Sequence, residues 1–335
     1  MSELVSILIP AYNAEKYLKD TINSALSQTW PNKEIIIVDD GSCDKTLQIA
    51  RTFESKRVKV ITQPNAGSCR SRNKALQLAQ GEYIQWLDAD DQLAPDKISC
   101  QMARNHTIRD TKVLYCSAWG TFYHRIDKTK YQPSPIWKSM TPVEWFIKSS
   151  EGQYWMQTSS WLVSRVLTEA AGPWEERLES INDDGEYFAR VVARSRFVEF
   201  VPESRCYYRI YHPGSATYFR KRSERALRSW DLSVNLIVDH LLLLENSEES
   251  RKAAIRNLHS IISRLYPYSN MAGVKDLIEA DYKRIINLGG ERQDAKETLK
   301  FWVARRVLGL KCARILRDLV WWARFSARRE WDELF

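Results

Sequence analysis

Glycine-rich phosphate cradles are missing from this sequence. Its 335 residues include 12 glycines, and no G-x-G-x-x-G follows the first strand-like run, so a dinucleotide-binding turn has no support. No G-x-x-x-x-G-K-[ST] occurs either, which excludes a P-loop. No run approaches the ~18 uninterrupted apolar residues of a membrane span. The six cysteines (Cys43, Cys69, Cys100, Cys116, Cys206 and Cys312) form no C-x-x-C pair and no Cys/His cluster of zinc spacing. Met1 to Val5 carry no basic n-region, so no secretory signal is expected and the cysteines read as reduced thiols in a cytoplasm. Acid is nearly missing from residues 300–329, where nine bases face Asp318 alone; that net +8 equals the net charge of the whole chain.

What is present describes a folded protein. The chain is 44% hydrophobic and 27% charged, long enough for one large domain or a domain with an appendage. Val5 to Pro10 and Ile35 to Val38 read as continuous apolar strands, and Val58 to Ile61 as a third. Between them Tyr17, Leu18, Ile22, Ala25 and Leu26 recur at helical spacing, with Asn13 expected as the N-cap. Asp44 is expected to cap the next helix, and Asn65 to Ser68 turn into another that carries Arg70 and Arg72. Apolar strands alternating with helices mean an α/β fold, a doubly wound and mostly parallel sheet covered on both faces. Ligands of such sheets bind beyond the carboxyl ends of the strands.

Two acidic clusters fall at such ends. Asp39-Asp40 follows the second strand, and Tyr83 to Leu87 runs into Asp88-Ala89-Asp90-Asp91. If the strand continued, Asp88 and Asp90 would share a face and suit a hard divalent cation with positions open for phosphate oxygens. An acidic turn that merely ends the strand is the plain alternative.

Further along, a helix is expected over Leu93 to Arg109 with Pro95 in its first turn, then a strand from Val113 to Cys116. Residues 117–160 read as irregular and aromatic-rich, their rings either core or a stacking platform for a sugar. Asp183-Asp184 opens a helix that continues through Val192, a place where acids also serve simply as dipole partners. Strands are expected at Phe197 to Val201 and from Cys206 to His212. After Tyr218 the pattern turns helical, and the basic tail interleaves its charges with Trp, Phe and Leu as an interfacial helix does. Nucleic acid and plain packing compete with a membrane surface as its partner.

Taken in order, Val5 to Asn13, Ile37 to Ser42, Ser71-Arg72-Asn73, Leu87 to Asp91 and Asp183-Asp184 resemble the inverting family 2 glycosyltransferases with a GT-A fold. The resemblance covers residues 5 to about 215 and leaves out the tail. It implies a catalytic domain over 1–220, with a nucleotide-binding half to 115 and an acceptor half from 116, followed by a helical region over 221–335. Pro10, Ala11, Tyr12, Asn13 and Ala89 would line the nucleotide-sugar pocket, and Asp39 or Asp40 would hold the base or ribose. Arg72 would lie near the diphosphate. Asp90 would bind Mn²⁺ or Mg²⁺ directly with His212 completing the site, while Asp88 would serve the metal and the ribose. Asp184 would be the general base, beside Asp183, which replaces the family's more usual Glu.

The expected activity is therefore metal-assisted transfer from a nucleotide diphosphate sugar, by preference a UDP-sugar, to a hydroxyl of a glycan or lipid-linked acceptor. The expected setting is cytoplasmic, with residues 300–329 on the inner face of a membrane and no nucleic acid bound. A sugar-phosphate nucleotidyltransferase is the second enzyme reading, although Pro10 to Asn13 is not its glycine-rich basic loop. An inactive fold serving as a basic membrane or nucleic-acid adaptor is the third.

Overall fold

The computed structural model describes residues 2–179, 181–210 and 223–293. In chain order the first half runs β1 (Val5–Ala11), α1 (Leu18–Leu26), β2 (Lys33–Asp39), α2 (Thr46–Arg51), β3 (Val58–Thr62), α3 (Ser68–Leu78), β4 (Tyr83–Trp86), β5 (Gln92–Leu93) and α4 (Lys97–Ile108). Then come β6 (Val113–Phe122), β7 (Lys130–Tyr131), α5 (Pro142–Gly152), β8 (Val163–Ser164), α6 (Arg165–Ala171), α7 (Asp183–Arg194) and β9 (Phe197–Arg209). Three helices close the described chain: α8 (Glu224–Leu244), α9 (Glu248–Leu265) and α10 (Ala272–Asn287).

The main sheet has the order β3-β2-β1-β4-β8, parallel except for β8 at its edge. Successive side chains of a strand point to opposite faces, and β1 and β2 divide accordingly. Leu8, Ile36 and Val38 join α3 in one buried cluster, whereas Val5, Ile7, Ile9, Ile35 and Ile37 join α1, α2 and α4 in another. A second sheet, β5-β9-β6-β7, pairs β6 with β9 in parallel, with an irregularity between Ser117 and Ala118. The C-terminal helices have a core of their own, but Leu241 and Ala253 belong to the cluster that contains Trp86 and Tyr187.

Several local expectations give way. Asn13 does not cap α1, which begins five residues later behind Tyr17. It adopts a left-handed φ of 49°, its Oδ1 accepts from the Cys43 amide at 2.9 Å, and its own amide donates to Ser42 Oγ. Asn is one of the few residues that visit this conformation cheaply, so Asn13 ties the β1 and β2 loops together. Asp44 receives the Thr46 amide at 2.9 Å, yet Lys45 holds the N-cap position of α2 without a side-chain cap. Pro95 precedes α4 instead of lying in its first turn, because β5 occupies Gln92–Leu93. The aromatic stretch is less irregular than its composition suggested. β6 runs on to Phe122, and α5 starts with a capping box between Thr141 and Glu144 behind Pro142. The two expected late strands are one, β9. β4 ends at Trp86, so Asp88 and Asp90 owe their positions to a turn, in which the Asp91 amide donates to the Asp88 carbonyl, and not to strand alternation.

At the end of β2 the chain turns through Gly41, whose φ of +70° is left-handed and whose added Cβ would lie 2.7 Å from the Asn65 amide nitrogen. The neighbouring Asp40 carboxylate accepts from Gln63 Nε2 and the Ala66 and Gly67 amides at 2.8 to 2.9 Å, fixing the approach to α3. Gly41→Ala should therefore cost about 1–3 kcal/mol, read as a lowered urea midpoint at unchanged slope. An unchanged midpoint would show that this turn yields freely.

Candidate active site

A cleft of about 620 Å³ opens beyond the carboxyl ends of β1, β2 and β4. Pro10 to Asn13, Asp40, Asp88, Ala89 and Asp90 line one side, Asp183 and Asp184 the floor, and Trp155 to Thr158 another edge. α8 and α9 supply the far wall.

At the centre is Arg72, 7% exposed. Its Nη1 lies 2.7 Å from Asp183 Oδ2 and its Nη2 2.9 Å from Asp88 Oδ1, while its guanidinium carbon lies 4.3 Å from the Trp174 ring centroid. Burial opposes the charge, but Asp183 and Asp88 more than offset it, and the pKa stands above the ordinary guanidinium value. Family resemblance places Arg72 near a diphosphate, and the fold engages its guanidinium with two carboxylates. Trp174 in turn stacks on Tyr187 at 4.1 Å, backing the arginine with a rigid aromatic wall.

Asp183 is 5% exposed and heavily used. Besides Arg72, its Oδ2 accepts from Ser68 Oγ at 2.8 Å, and its Oδ1 accepts from the Asp184 amide at 3.0 Å. It thereby joins the start of α3 to the start of α7. Asp184 has lighter engagement, with Oδ1 accepting from the Gly185 amide at 2.8 Å and Oδ2 facing Thr158 Oγ1 at 3.3 Å. Burial and the adjacent Asp183 raise its pKa to about 6 against the pull of Arg72.

The two acids after β2 separate clearly. Asp40 is saturated by its three donors, whereas Asp39, buried at 1%, uses Oδ2 to accept from Thr62 Oγ1 and has no partner for Oδ1 among the described residues. A buried carboxylate oxygen without a donor is costly unless a ligand supplies one. Tyr12, 49% exposed, stands on the same side of the cleft.

In the β4 turn, Asp91 is wholly buried and taken up by the Arg209 amide at 2.8 Å and Gln157 Nε2 at 2.5 Å. Asp88 and Asp90 line the cleft, and burial followed by the nearby Asp90 raises the Asp88 pKa despite Arg72. Among the described residues no three His, Cys, Asp or Glu side chains converge on one point. The Asp88–Asp90 pair nonetheless fits an ion such as Mg²⁺, which takes about one or two carboxylates and completes its shell with substrate phosphate and water oxygens. His212 and the basic tail lie outside the described residues, and no described helix is long and apolar enough to cross a membrane.

Some lining residues carried no sequence signal. Thr158 faces Asp184, and Gln157 bridges Asp91 to the Ser159 amide. The aromatic stretch divides as its composition permitted. Phe122, Trp145 and Phe146 are buried, while Trp155 is 46% exposed beside the cleft and packs on Trp119 at 4.5 Å.

The model of glycosyl transferase family 2 matches residues 6–156. The putative glycosyltransferase EpsH of Bacillus subtilis is 31% identical over 287 residues, covering 82% of this chain and 80% of its own. An uncharacterized glycosyltransferase of Haemophilus influenzae is 45% identical over 111 residues, and the putative teichuronic acid biosynthesis glycosyltransferase TuaG of B. subtilis 44% over 102. These matches cover 31% and 30% of this chain, and span only 44% and 40% of those two relatives. Among solved structures, S. aureus TarS 1-349 in complex with UDP-GlcNAc superposes with a TM-score of 0.59 at 18% identity, over 87% of this chain and 95% of that one. That likeness establishes the GT-A fold.

Arg72→Met should leave Asp88 and Asp183 uncompensated and cost about 3–5 kcal/mol near neutral pH. A carboxyl whose folded pKa is raised, as that of Asp88 already is, loses folding free energy as pH rises through that value. Without Arg72 the rise is larger, so the deficit should shrink as pH falls from about 8 to 5. Denaturant melts across that range check it, and a pH-independent deficit would contradict the pairing.

Proposed function

The chain belongs to glycosyl transferase family 2, and we propose that it transfers a sugar from a UDP-sugar to a hydroxyl of a glycan or lipid-linked acceptor, with inversion at the anomeric carbon. The observation that carries this reading is Asp184. It is a carboxylate poised near pKa 6 in the cleft that Pro10 to Asn13 also line. A general base works best when its pKa lies close to the operating pH and contributes typically ~10²–10⁴-fold.

The donor reading draws on three features. Among the described residues Asp39 Oδ1 has no donor, and a base or ribose N–H or O–H would supply one. Tyr12 offers a ring at the cleft edge. The S. aureus neighbour binds UDP-GlcNAc and UDP. Asp90 and Asp88 would hold Mn²⁺ or Mg²⁺, which supplies charge neutralisation at the diphosphate. Asp183 is a positioning residue, since its hydrogen bond to the Asp184 amide and its pairing with Arg72 set where the base stands. Asp184 takes the proton of the acceptor hydroxyl as its oxygen attacks the anomeric carbon, and the nucleotide diphosphate leaves from the opposite face. One displacement inverts the centre.

A peripheral site on the inner face of a membrane, reached through residues 300–329, completes the proposal and suits a lipid-linked acceptor. A nucleotidyltransferase is disfavoured by Pro10 to Asn13, where a glycine-rich basic loop would be required.

Asp184→Asn should lower transfer by about 10²–10⁴-fold, scored as radiolabelled sugar moved from a UDP-sugar panel to glycan and lipid acceptors. In the wild-type protein the base is active when ionised, so kcat should fall as pH drops below about 6. Full transfer by the Asn variant would remove Asp184 from the base role.

A further inference from the structure

The cleft does not end at the carboxylates. It continues between α5, α8 and α9, where Trp230, Asn257, Ser260 and Arg264 join its wall. That wall is fastened to the catalytic side. Asn182 Nδ2, one residue before α7, donates to Ser233 Oγ at 2.9 Å, and Gln153 Nε2 after α5 donates to Asn257 Oδ1 at 3.2 Å. The Glu179 amide also donates to Ser229 Oγ at 2.7 Å. α8 and α9 are thereby held in place relative to Asp184.

Charge is distributed unevenly across this space. Every carboxylate that lines it (Asp40, Asp88, Asp90, Asp183 and Asp184) comes from the side of the β2 and β4 loops and α7. Of the two lining arginines among the described residues, Arg72 is spent on Asp88 and Asp183. Arg264 has neither an ion pair nor a hydrogen bond among the described residues. Its guanidinium instead lies over the Trp230 ring, 4.9 Å from the centroid. Stacking holds a guanidinium plane in place while leaving its edge donors available, and that fork matches a carboxylate or phosphate bidentately.

We infer that Arg264, braced on Trp230, is an acceptor subsite for an oxyanion, a carboxylate or phosphate carried by the acceptor. The inference rests on the cleft being the site of sugar transfer, and it assigns the helical region a part in choosing the acceptor. Asn257 and Ser260 on α9 supply amide and hydroxyl groups suited to the neutral hydroxyls of the same acceptor.

The test is a titration of tryptophan fluorescence in the full chain with methyl glucuronide, methyl glucoside 6-phosphate and neutral methyl glucoside. Wild-type protein, Arg264→Gln and Arg264→Lys are compared, with UDP titrated in parallel. The wild type should bind at least one charged glycoside about tenfold more tightly than the neutral one, as a charge-assisted hydrogen bond implies. Arg264→Gln should lose that preference, Arg264→Lys should keep only part of it because an ammonium cannot reproduce the stacked fork, and UDP should bind all three proteins alike. The tighter of the two charged probes separates carboxylate from phosphate. Equal affinity for charged and neutral glycosides in the wild type, or a preference that survives in Arg264→Gln, overturns the subsite. An anion preference without UDP binding would uphold the subsite and overturn the donor reading alone.

Discussion

The guanidinium of Arg72 reaches Asp183 at 2.7 Å and Asp88 at 2.9 Å from within the protein, under the ring of Trp174. Both carboxylates lean on it, since a buried Asp183 beside a half-buried Asp88 needs a cation or donors to stay ionised. Asp88 belongs to the turn after β4 on the donor side, and Asp183 opens α7, which presents Asp184. One ion-paired arginine therefore fixes the spacing between the turn after β4 and the start of α7. The aromatic stack of Trp174 on Tyr187 gives that link a rigid backing.

Environment divides the work among chemically identical side chains. Asp40 and Asp91 are saturated by backbone and amide donors and hold loops in place. Asp183 is saturated too, but its partners lie on α3 and at the start of its own helix, so it transmits position. Asp39 has an oxygen to spare, and Asp184 a raised pKa with light engagement. Asp184, Asp88 and Asp90 line the cleft, whereas Asp39 lies buried beside it.

Much of this was legible in the sequence, because buried parallel strands announce themselves as continuous apolar runs and their ends mark the cleft. The order of Val5 to Asn13, Ile37 to Ser42, Leu87 to Asp91 and Asp183-Asp184 was enough to identify the fold. Periodicity could not tell Asp39 from Asp40, since the difference lies in donors from residues 62 to 67. Nor could it assign Arg72 to two carboxylates, one of them 111 residues away. Strand alternation does not place Asp88 and Asp90, because β4 stops at Trp86 and a turn carries both acids to the cleft. Arg264 and Trp230 gave no sign of a site, since only packing of α8 and α9 brings them to the cleft.

The donor we propose for this cleft is a uridine diphosphate sugar. Calorimetric titration with UDP, GDP, dTDP and CMP, each with and without Mn²⁺, addresses it most directly. UDP should bind selectively, more tightly with the metal and more weakly in Asp39→Ala. A preference for another diphosphate would keep the enzyme class and change the donor, whereas binding of none of the four would contradict the account.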